Sequence, residues 1–190
     1  MPGTYKVVIA LAREMDSTFV TVKDDPRLGN RNDIKSAQQK MYVRLRKSTD
    51  KLTEGMDRLT EAEEVCTKVM AQLKDLEGKD ADSLRKTTKA MQDSIKAIRE
   101  FINGKPSDKQ GLNRDPGATV MRAYQTAAQY IGSKNVAPGS QEEALMVNAE
   151  IMIGQALQRI NNFFSNKWSA YRQQVEGTKL NLFKEYKPIE

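Results

Sequence analysis

An apolar repeat between Asn32 and Leu76 constrains the fold of this 190-residue chain more than any other feature. Its apolar residues are separated by 7, 4, 7, 7, 7, 7 and 3 positions, which is typical of a long α-helix that buries one face against other helices. These residues are Ile34, Met41, Leu45, Leu52, Leu59, Cys66, Leu73 and Leu76. A helix of this length is about 68 Å long. The sequence therefore predicts an elongated bundle whose other helices lie along it.

The ends of this first helix are indicated by its polar residues. Asn32 or Asp33 can cap its start, because a short oxygen side chain accepts a free N–H group of the first turn. Gly78 suits the position that follows its end. The stretch contains no proline, and we expect its one glycine, Gly55, to weaken the helix by about 1 kcal/mol relative to alanine.

A second and a third helix follow. The second begins after the cap Asp80 and ends at Gly104. Its apolar face is formed by Leu84, Thr88, Met91, Ile95, Ile98 and Ile102. The third is predicted to have Asp115 as its cap and Pro116 at its first position, where the missing N–H of proline costs nothing, and to end at Gly132. Its inward residues are predicted to be Val120, Tyr124, Ala127, Ala128 and Ile131.

The fourth helix is predicted to begin at a capping box, Ser140 to Glu143, and to run to about Glu176. Its predicted inward residues are Ala144, Val147, Ile151, Gly154, Leu157, Asn161, Phe164, Trp168, Tyr171 and Val175. The helix lengths suggest that the second helix folds back along the far half of the first, that the third reverses again, and that the fourth runs the whole length. The apolar tail, residues 178–190, would then finish beside the start of the chain.

The start of the chain predicts a β-hairpin. Residues 4–11 alternate in character, with Tyr5 and Ile9 on the apolar face, and residues 18–22 form a second strand with Phe19 directed inward. The turn is expected within residues 13–17. An isolated hairpin is only marginally stable in water. We therefore expect it either to belong to a larger sheet whose other strands precede Met1, or to rest on the helices.

The absence of histidine excludes most familiar catalytic sites. It removes the commonest general base, the nucleophile pairs that contain histidine, and most zinc and iron sites. The carboxylate pairs Glu61 with Glu64 and Glu143 with Glu150 lie at helical spacing, which is more typical of a solvated face than of an acid–base pair. No glycine-rich phosphate loop follows a strand. We assign no catalytic, cofactor-binding or metal-ligating residue, and no cofactor.

The net charge of +6 permits a nucleic acid or another anionic polymer as a partner. The most basic part of the first helix contains Arg44, Arg46, Lys47, Lys51 and Arg58, but acidic residues interrupt it. A solvated surface is the favoured interpretation. The single cysteine, Cys66, lies on the apolar stripe and is predicted to be a buried thiol.

Aromatic residues near the end of the fourth helix leave two interpretations open. Trp168, Phe163 and Phe164 could stack against a ligand such as a sugar, but on the apolar stripe of a helix they are more often core residues. Asn161 is either a buried polar residue that fixes the helix register or a residue at the edge of the stripe. No apolar segment is long enough to span a membrane. No signal-peptide pattern occurs either.

Four segments together resemble one family: Pro2–Val7, Val22–Arg27, Phe163–Trp168 and Leu182–Ile189. They are similar to the C-terminal region of large bacterial sortilin-like proteins, which are β-propeller proteins with Asp-box repeats and are often called glycosyl hydrolases. In that family an immunoglobulin-like β module ends in a similar Pro-Gly-x-Tyr strand and an Asp-Pro-Arg segment, and a helical region follows. The resemblance covers essentially the whole chain.

The residue patterns and the resemblance together predict a mainly α fold in two parts. Residues 1–27 would be the last strands of a β-sandwich module, and the beginning Met1-Pro2-Gly3 is typical of an excised fragment. Residues 28–190 would be an elongated up-down bundle of four helices whose tail packs near the hairpin. The propeller, where any glycosidase site would lie, is not part of this sequence. The family is usually exported, which implies a periplasmic or cell-surface location for the parent protein.

The sequence thus predicts a non-catalytic accessory module that braces or orients an upstream β-propeller. Its expected partners are the upstream β-sandwich and propeller, with a further protein possible along the bundle. Two alternatives remain: a bundle that binds nucleic acid or an anionic polymer, and an enzyme that acts on glycans through carboxylates.

Overall fold

The computed structural model describes residues 2–29, 31–74, 76–106 and 117–178, and the structural statements below concern those ranges. In chain order the elements are β1 (Gly3–Leu11), β2 (Glu14–Val22), a 3-10 turn (Pro26–Leu28), α1 (Asn32–Leu73), α2 (Lys79–Asn103), α3 (Val120–Ser133), α4 (Ser140–Asn162), a π-helical segment (Phe163–Trp168) and α5 (Ser169–Gly177). The segments from α4 to α5 follow one another without a break and form the predicted long fourth helix. The predicted fold class is confirmed: the protein is mainly helical, with four helices preceded by a two-stranded antiparallel hairpin.

Helix α1 is continuous over 42 residues, a length of about 63 Å. Its buried face contains the predicted apolar residues from Leu45 to Leu73. Gly55 does not interrupt the helix and is itself buried. A Cβ atom built on Gly55 would lie 2.9 Å from Cδ1 of Ile160. The glycine therefore allows α1 and α4 to approach each other closely, a role that its helix propensity alone did not indicate.

Helix α2 runs antiparallel to the half of α1 that lies farther from the hairpin. Arg99 of α2 donates to the hydroxyl of Thr60 over 3.0 Å and pairs with Glu63 over 3.0 Å. At the far end of the bundle, Arg85 donates to the carbonyl oxygens of Leu73 and Leu76. These bonds fix the return of the chain from α1 to α2.

Helix α3 lies beside the near half of α1, which is the half next to the hairpin. The hydroxyl of Tyr42 donates to the carbonyl of Ala128 over 2.9 Å, and the amide of Gln38 donates to the carbonyl of Lys134 over 3.0 Å. Helices α2 and α3 therefore run in the same direction, toward the hairpin. The predicted reversal of the third helix is wrong, because α3 continues the path of α2 along α1.

Helices α4 and α5 consequently run parallel to α1. Arg44 contacts Glu143 and Glu150 near the start of both helices, whereas α5 ends beside the segment that joins α1 to α2. The last described residue, Thr178, therefore lies at the end of the bundle away from the hairpin. The predicted contact between the C-terminal tail and the hairpin concerns residues 179–190, which lie outside the described ranges.

Two groups of buried side chains hold the bundle together. The larger group occupies the far half and joins α1, α2, the start of α3, α4, the π-helical segment and α5 around fully buried residues such as Leu59, Ile95 and Tyr171. The smaller group joins α1, α3 and α4 in the near half. It consists of Leu45, Ala127, Ile131, Met146 and Ala149. All six residues predicted for the apolar face of α2 are buried.

The π-helical segment changes which residues of the fourth helix are buried. The buried residues before and at its start are Glu142, Met146, Ala149, Ile153, Ala156, Ile160 and Phe163, spaced by three or four. The next buried residue is Tyr171, eight positions after Phe163. The wider i→i+5 hydrogen bonding of a π-helix accommodates one extra residue at this point. A strict α-helical repeat therefore places the residues after the segment correctly and those before it wrongly: Val147 is 39% exposed and Ile151 is 54% exposed.

Several helix ends differ from the sequence prediction. Helix α1 is preceded by Arg31, without a side-chain cap, and ends at Leu73. Gly78, with φ of 123°, precedes α2 and does not close α1. Thr119 caps α3 by accepting a hydrogen bond from the N–H of Arg122 over 3.1 Å. The predicted cap Asp115 and Pro116 lie outside the described residues.

The capping interaction of α4 is displaced by one residue from the predicted box. Glu142, and not Glu143, accepts a hydrogen bond from the N–H of Gly139 over 2.8 Å. The Glu142 carboxylate also accepts a hydrogen bond from Nζ of Lys134 over 2.7 Å. Lys134 and the Gly139 N–H together lower the pKa of Glu142 to about 2.

The close packing at Gly55 predicts an asymmetric effect of leucine substitutions. Gly55→Leu should lower the free energy of unfolding by about 1–3 kcal/mol, because the larger side chain must displace Ile160. Gly154→Leu is the matched control, since Gly154 is an exposed helical glycine and a Cβ atom added there would meet nothing within 4 Å. Urea unfolding of both variants measures the difference, and equal stability of the two would contradict the close approach of α1 and α4.

Candidate functional site: an exposed hairpin at one end of the bundle

The hairpin has a regular antiparallel register. Gly3 pairs with Val22, and Leu11 pairs with Glu14 at the closed end. Ala12 and Arg13 form the two-residue turn, which is shorter than the predicted turn of residues 13–17, so β2 begins four residues earlier than expected. Ala12 has φ of 54°. A positive φ at the first turn residue, but not at the second, is typical of a type II′ turn, where glycine is usual.

The register divides the hairpin into two faces, because directly paired residues lie on the same face of a sheet. The apolar face carries Tyr5, Val7, Ile9, Leu11, Val20 and Val22, together with Thr18, Asp16 and Glu14. The mixed face carries Thr4, Lys6, Val8, Ala10, Met15, Ser17, Phe19 and Thr21. Phe19 pairs with Lys6. Phe19, which was predicted to be directed inward, therefore lies on the face opposite Tyr5 and Ile9, and it is 70% exposed.

Neither face is covered by another described element. Every residue of β1 and β2 is exposed, including nine large apolar side chains that are between 40% and 77% exposed. No helix of the described part approaches the hairpin closely enough to cover it. Of the two predicted settings, the one in which the hairpin rests on the helices is thus not observed.

A short polar junction connects the hairpin to the bundle. Asp24 forms an ion pair with Lys35 in the first turn of α1. Asp25 accepts hydrogen bonds from the Arg27 backbone N–H over 3.0 Å and from its guanidinium over 2.8 Å and 3.0 Å. The Arg27 side chain and N–H lower the pKa of Asp25. These contacts order the Asp-Pro-Arg segment, which was one of the motifs of the family resemblance.

The basic residues of α1 do not form a continuous cationic surface. The guanidinium of Arg44 contacts the carboxylates of Glu150, over 2.5 Å and 2.7 Å, and Glu143, over 2.6 Å. These two carboxylates raise the pKa of Arg44. Arg58 pairs with Glu54 over 2.6 Å, and Arg46 lies 3.9 Å from Asp50. Three of the five basic side chains therefore face an acidic partner.

The carboxylate pairs considered in the sequence are placed differently. Glu61 and Glu64 are both exposed on α1. Glu143 and Glu150 both contact the guanidinium of Arg44, so one positive charge is shared by two carboxylates. Within the described ranges no group of three or more acidic or cysteine side chains is arranged to hold a metal ion.

The predicted buried thiol is confirmed, and it belongs to a polar group inside the far core. Cys66 is fully buried and lies within hydrogen-bonding reach of the Tyr171 hydroxyl. That hydroxyl lies 3.0 Å from the hydroxyl of Thr88. The Thr88 hydroxyl donates its proton to the carbonyl of Leu84 over 2.7 Å. Burial raises the pKa of Cys66 and that of Tyr171.

The aromatic residues of the π-helical segment pack mainly with one another. The rings of Phe163 and Phe164 meet edge to face, with their centroids 5.1 Å apart. The ring centroids of Trp168 and Tyr171 are 5.4 Å apart. Phe163 is buried, and Phe164 and Trp168 are partly buried against the far core. The arrangement is that of core residues, the interpretation favoured from sequence. Asn161 is exposed, at the edge of the stripe and not within it.

No known protein family, curated protein or solved structure matches this chain. The similarity to sortilin-like proteins therefore remains a resemblance in four short segments. No helix in the described ranges is long and apolar enough to cross a membrane.

Three features were not predicted from the sequence: the register of the hairpin, the π-helical segment and the pairing of Arg44 with α4. Alternation along β1 gave its apolar face, but the register of β2 depends on the turn length, and the turn contains neither glycine nor asparagine to mark it. The π-helical segment has no recognised sequence signal. The pairing of Arg44 with two carboxylates on α4 depends on the parallel arrangement of α1 and α4, which the sequence did not predict.

The backbone of Ala12 predicts a stabilising substitution. Ala12→Gly should increase the stability of the hairpin by about 1 kcal/mol, because glycine adopts a positive φ without the steric cost that a Cβ atom brings. Cross-strand NMR contacts between Ile9 and Asp16 would measure the folded fraction of the hairpin. Arg13→Gly is the control, since Arg13 has no positive φ, and an equal gain there would contradict the turn type.

The buried thiol and phenol predict a loss of stability at alkaline pH. Their pKa values are raised in the folded protein, so above the ordinary thiol pKa of about 8.5 the unfolded chain loses protons that the folded protein keeps. Stability is therefore fully present below that pH and decreases above it, by up to about 1.4 kcal/mol per pH unit from the thiol, and the phenol adds to the decrease only above its own ordinary pKa of about 10. Urea unfolding between pH 7 and pH 10 should show this decrease, and Cys66→Ala should reduce it. An unchanged slope in that variant would contradict the assignment.

Proposed function

We propose that this chain is a non-catalytic accessory module in which the hairpin docks to a neighbouring β domain and the helical bundle forms an elongated arm. The observation that carries this proposal is the exposure of the hairpin. Monomeric proteins rarely leave a continuous apolar surface of several hundred Å² in water, and such surfaces mark interaction sites. Here six large apolar side chains are exposed on one face of two short strands, and three more are exposed on the opposite face.

The energetics of the hairpin support docking. A two-stranded hairpin is only marginally stable by itself, and this one gains no packing from the described helices. Burying a single Val, Leu or Ile side chain contributes about 1.5–3 kcal/mol. Covering even the four apolar residues of β1 that share one face would therefore contribute several kcal/mol. A partner surface stabilises the hairpin and is bound by it in the same step.

The form of the bundle supports the role of an arm. Helix α1 is about 63 Å long, and two separate groups of buried side chains connect it to its neighbours over most of that length. The Asp24–Lys35 ion pair ties the hairpin to the start of α1. A docked hairpin would thus set the direction in which the whole bundle projects.

The nature of the neighbouring domain follows from the resemblance to sortilin-like proteins. In that interpretation the hairpin completes an immunoglobulin-like module, and the bundle braces or orients the upstream β-propeller of an exported protein. The glycosyl hydrolase activity attributed to such proteins would lie in the propeller and not in this chain.

The two alternative functions receive no support from the described residues. A bundle that binds an anionic polymer needs free cations on one face, but Arg44, Arg46 and Arg58 face carboxylates. A glycan-acting enzyme needs two carboxyl groups across a cleft. Among the described residues Glu143 and Glu150 are bound to Arg44, and Glu61 and Glu64 lie on the exposed surface of one helix.

Thermal melting combined with light scattering tests the proposal. The chain alone is compared with the complete polypeptide that its gene encodes. We expect the complete polypeptide to melt with this module as one cooperative unit at a higher temperature, since docking adds stability to the folded state. If the module melts at the same temperature in both, or if the gene encodes these residues alone, the bracing role is wrong.

A further inference from the structure

We propose that the hairpin joins the sheet of its partner domain through the open edge of β1, that its apolar face is covered by a second sheet, and that β2 remains the outer strand. This inference rests on the proposed docking function and specifies its geometry. It follows from the position of charged side chains, the size of the apolar face and the backbone hydrogen bonds of the two strands.

The distribution of charge distinguishes the two strands. On the apolar face β1 carries only Tyr5, Val7, Ile9 and Leu11 after Gly3, whereas β2 carries Glu14 and Asp16. A carboxylate in the interior of a covered face is costly unless it is paired, and no ion pair of either residue occurs among the described residues. The two acids keep their contact with water only if β2 lies at the edge of the sheet. Inward-pointing charges are a common feature of natural edge strands.

A backbone hydrogen bond supports the same assignment. The N–H of Ser17 donates to Oδ1 of Asp16 over 2.7 Å. This amide is therefore already satisfied by a side chain of its own strand. In a two-residue turn the first and fourth residues are hydrogen-bonded, here Leu11 and Glu14, and bonded pairs alternate along an antiparallel ladder. The Ser17 amide thus points away from β1, at the outer edge of β2.

The same alternation identifies the free edge of β1. Tyr5, Val7 and Ile9 direct their backbone groups toward β2, while Lys6, Val8 and Ala10 direct theirs outward. The one charged residue of β1, Lys6, lies on the mixed face, where it can remain in solvent after docking. An added strand would therefore satisfy the outward amides of β1 without burying a charge on the apolar face.

The apolar face is too small for face-to-face contact with a second copy of this chain to form a stable interface by itself. Strands of nine residues are about 30 Å long and two strands are about 10 Å wide, which gives roughly 300 Å² per face. A stable protein–protein interface buries about 800 Å² on each partner. Face-to-face contact of two hairpins falls well short of that value. A β domain that pairs with the β1 edge and also covers the face supplies the missing contact.

Residue-level hydrogen exchange of the complete gene product tests the assignment of the edge. We expect the outward amides of Lys6, Val8 and Ala10 to exchange about 100-fold more slowly in the complete polypeptide than in this chain alone, because a paired strand opens only through local unfolding. The outward amides of Phe19 and Thr21 on β2 should exchange at similar rates in both. Slow exchange on β2 with fast exchange on β1 would reverse the assignment.

Substitutions at adjacent residues test the covered face. Ile9→Lys places a charge on the apolar face, and Val8→Lys is its matched control on the mixed face of the same strand. In the complete polypeptide Ile9→Lys should abolish the protection of the β1 amides, and Val8→Lys should retain it. Val8→Pro and Ser17→Pro then compare the two edges, since these paired residues each lose an outward N–H; only Val8→Pro should remove protection.

The outcomes separate this inference from the proposed function. If the module melts as one unit with its neighbour but neither edge is protected, docking stands and the strand pairing proposed here is wrong. If protection appears in this chain alone and rises with its concentration, the occupant is a second copy and the proposed partner is wrong. Loss of both cooperative melting and protection would overturn the docking function together with its geometry.

Discussion

The parallel contact between α1 and α4 determines the rest of the structure. The two helices are packed closely at Gly55, in the middle of a long helix, where a Cβ atom would lie 2.9 Å from Cδ1 of Ile160 and would require that side chain to shift. Once these two helices are parallel, the chain must return between them in the opposite direction. Helices α2 and α3 provide that return in two consecutive parts: α2 and the start of α3 pack in the larger group of buried side chains, and the rest of α3 packs in the smaller one.

The sequence predicted the elements well where a single physical signal decided them. The apolar face of α2 and that of α1 from Leu45 to Leu73 follow directly from their spacing. The path of the chain was less predictable, because helix lengths do not say whether α3 reverses or continues the direction of α2. That choice depends on specific contacts, such as Tyr42 with Ala128, which join residues far apart in the sequence.

The candidate site was predictable only in part for a similar reason. Alternation along β1 identified its apolar residues correctly, and the buried position of Cys66 followed from the stripe on α1. The face on which Phe19 lies depends on the register, and a shift of one residue moves every side chain of a strand to the other face. The exposure of both faces depends on what surrounds the hairpin, which no local pattern encodes.

The π-helical segment keeps the buried faces of the two parts of the fourth helix aligned on the same core. If the same residues formed a regular α-helix, everything after the segment would be rotated by about 100° around the helix axis. The hydroxyl of Tyr171 would then leave the far core, and Thr88 and Cys66 would lose the partner that they share. The polar group therefore depends on the wide turn, which lets Phe163 and Tyr171 face the same core although they are eight positions apart. An insertion or deletion in this segment would therefore be felt inside the core, where Tyr171 contacts Thr88.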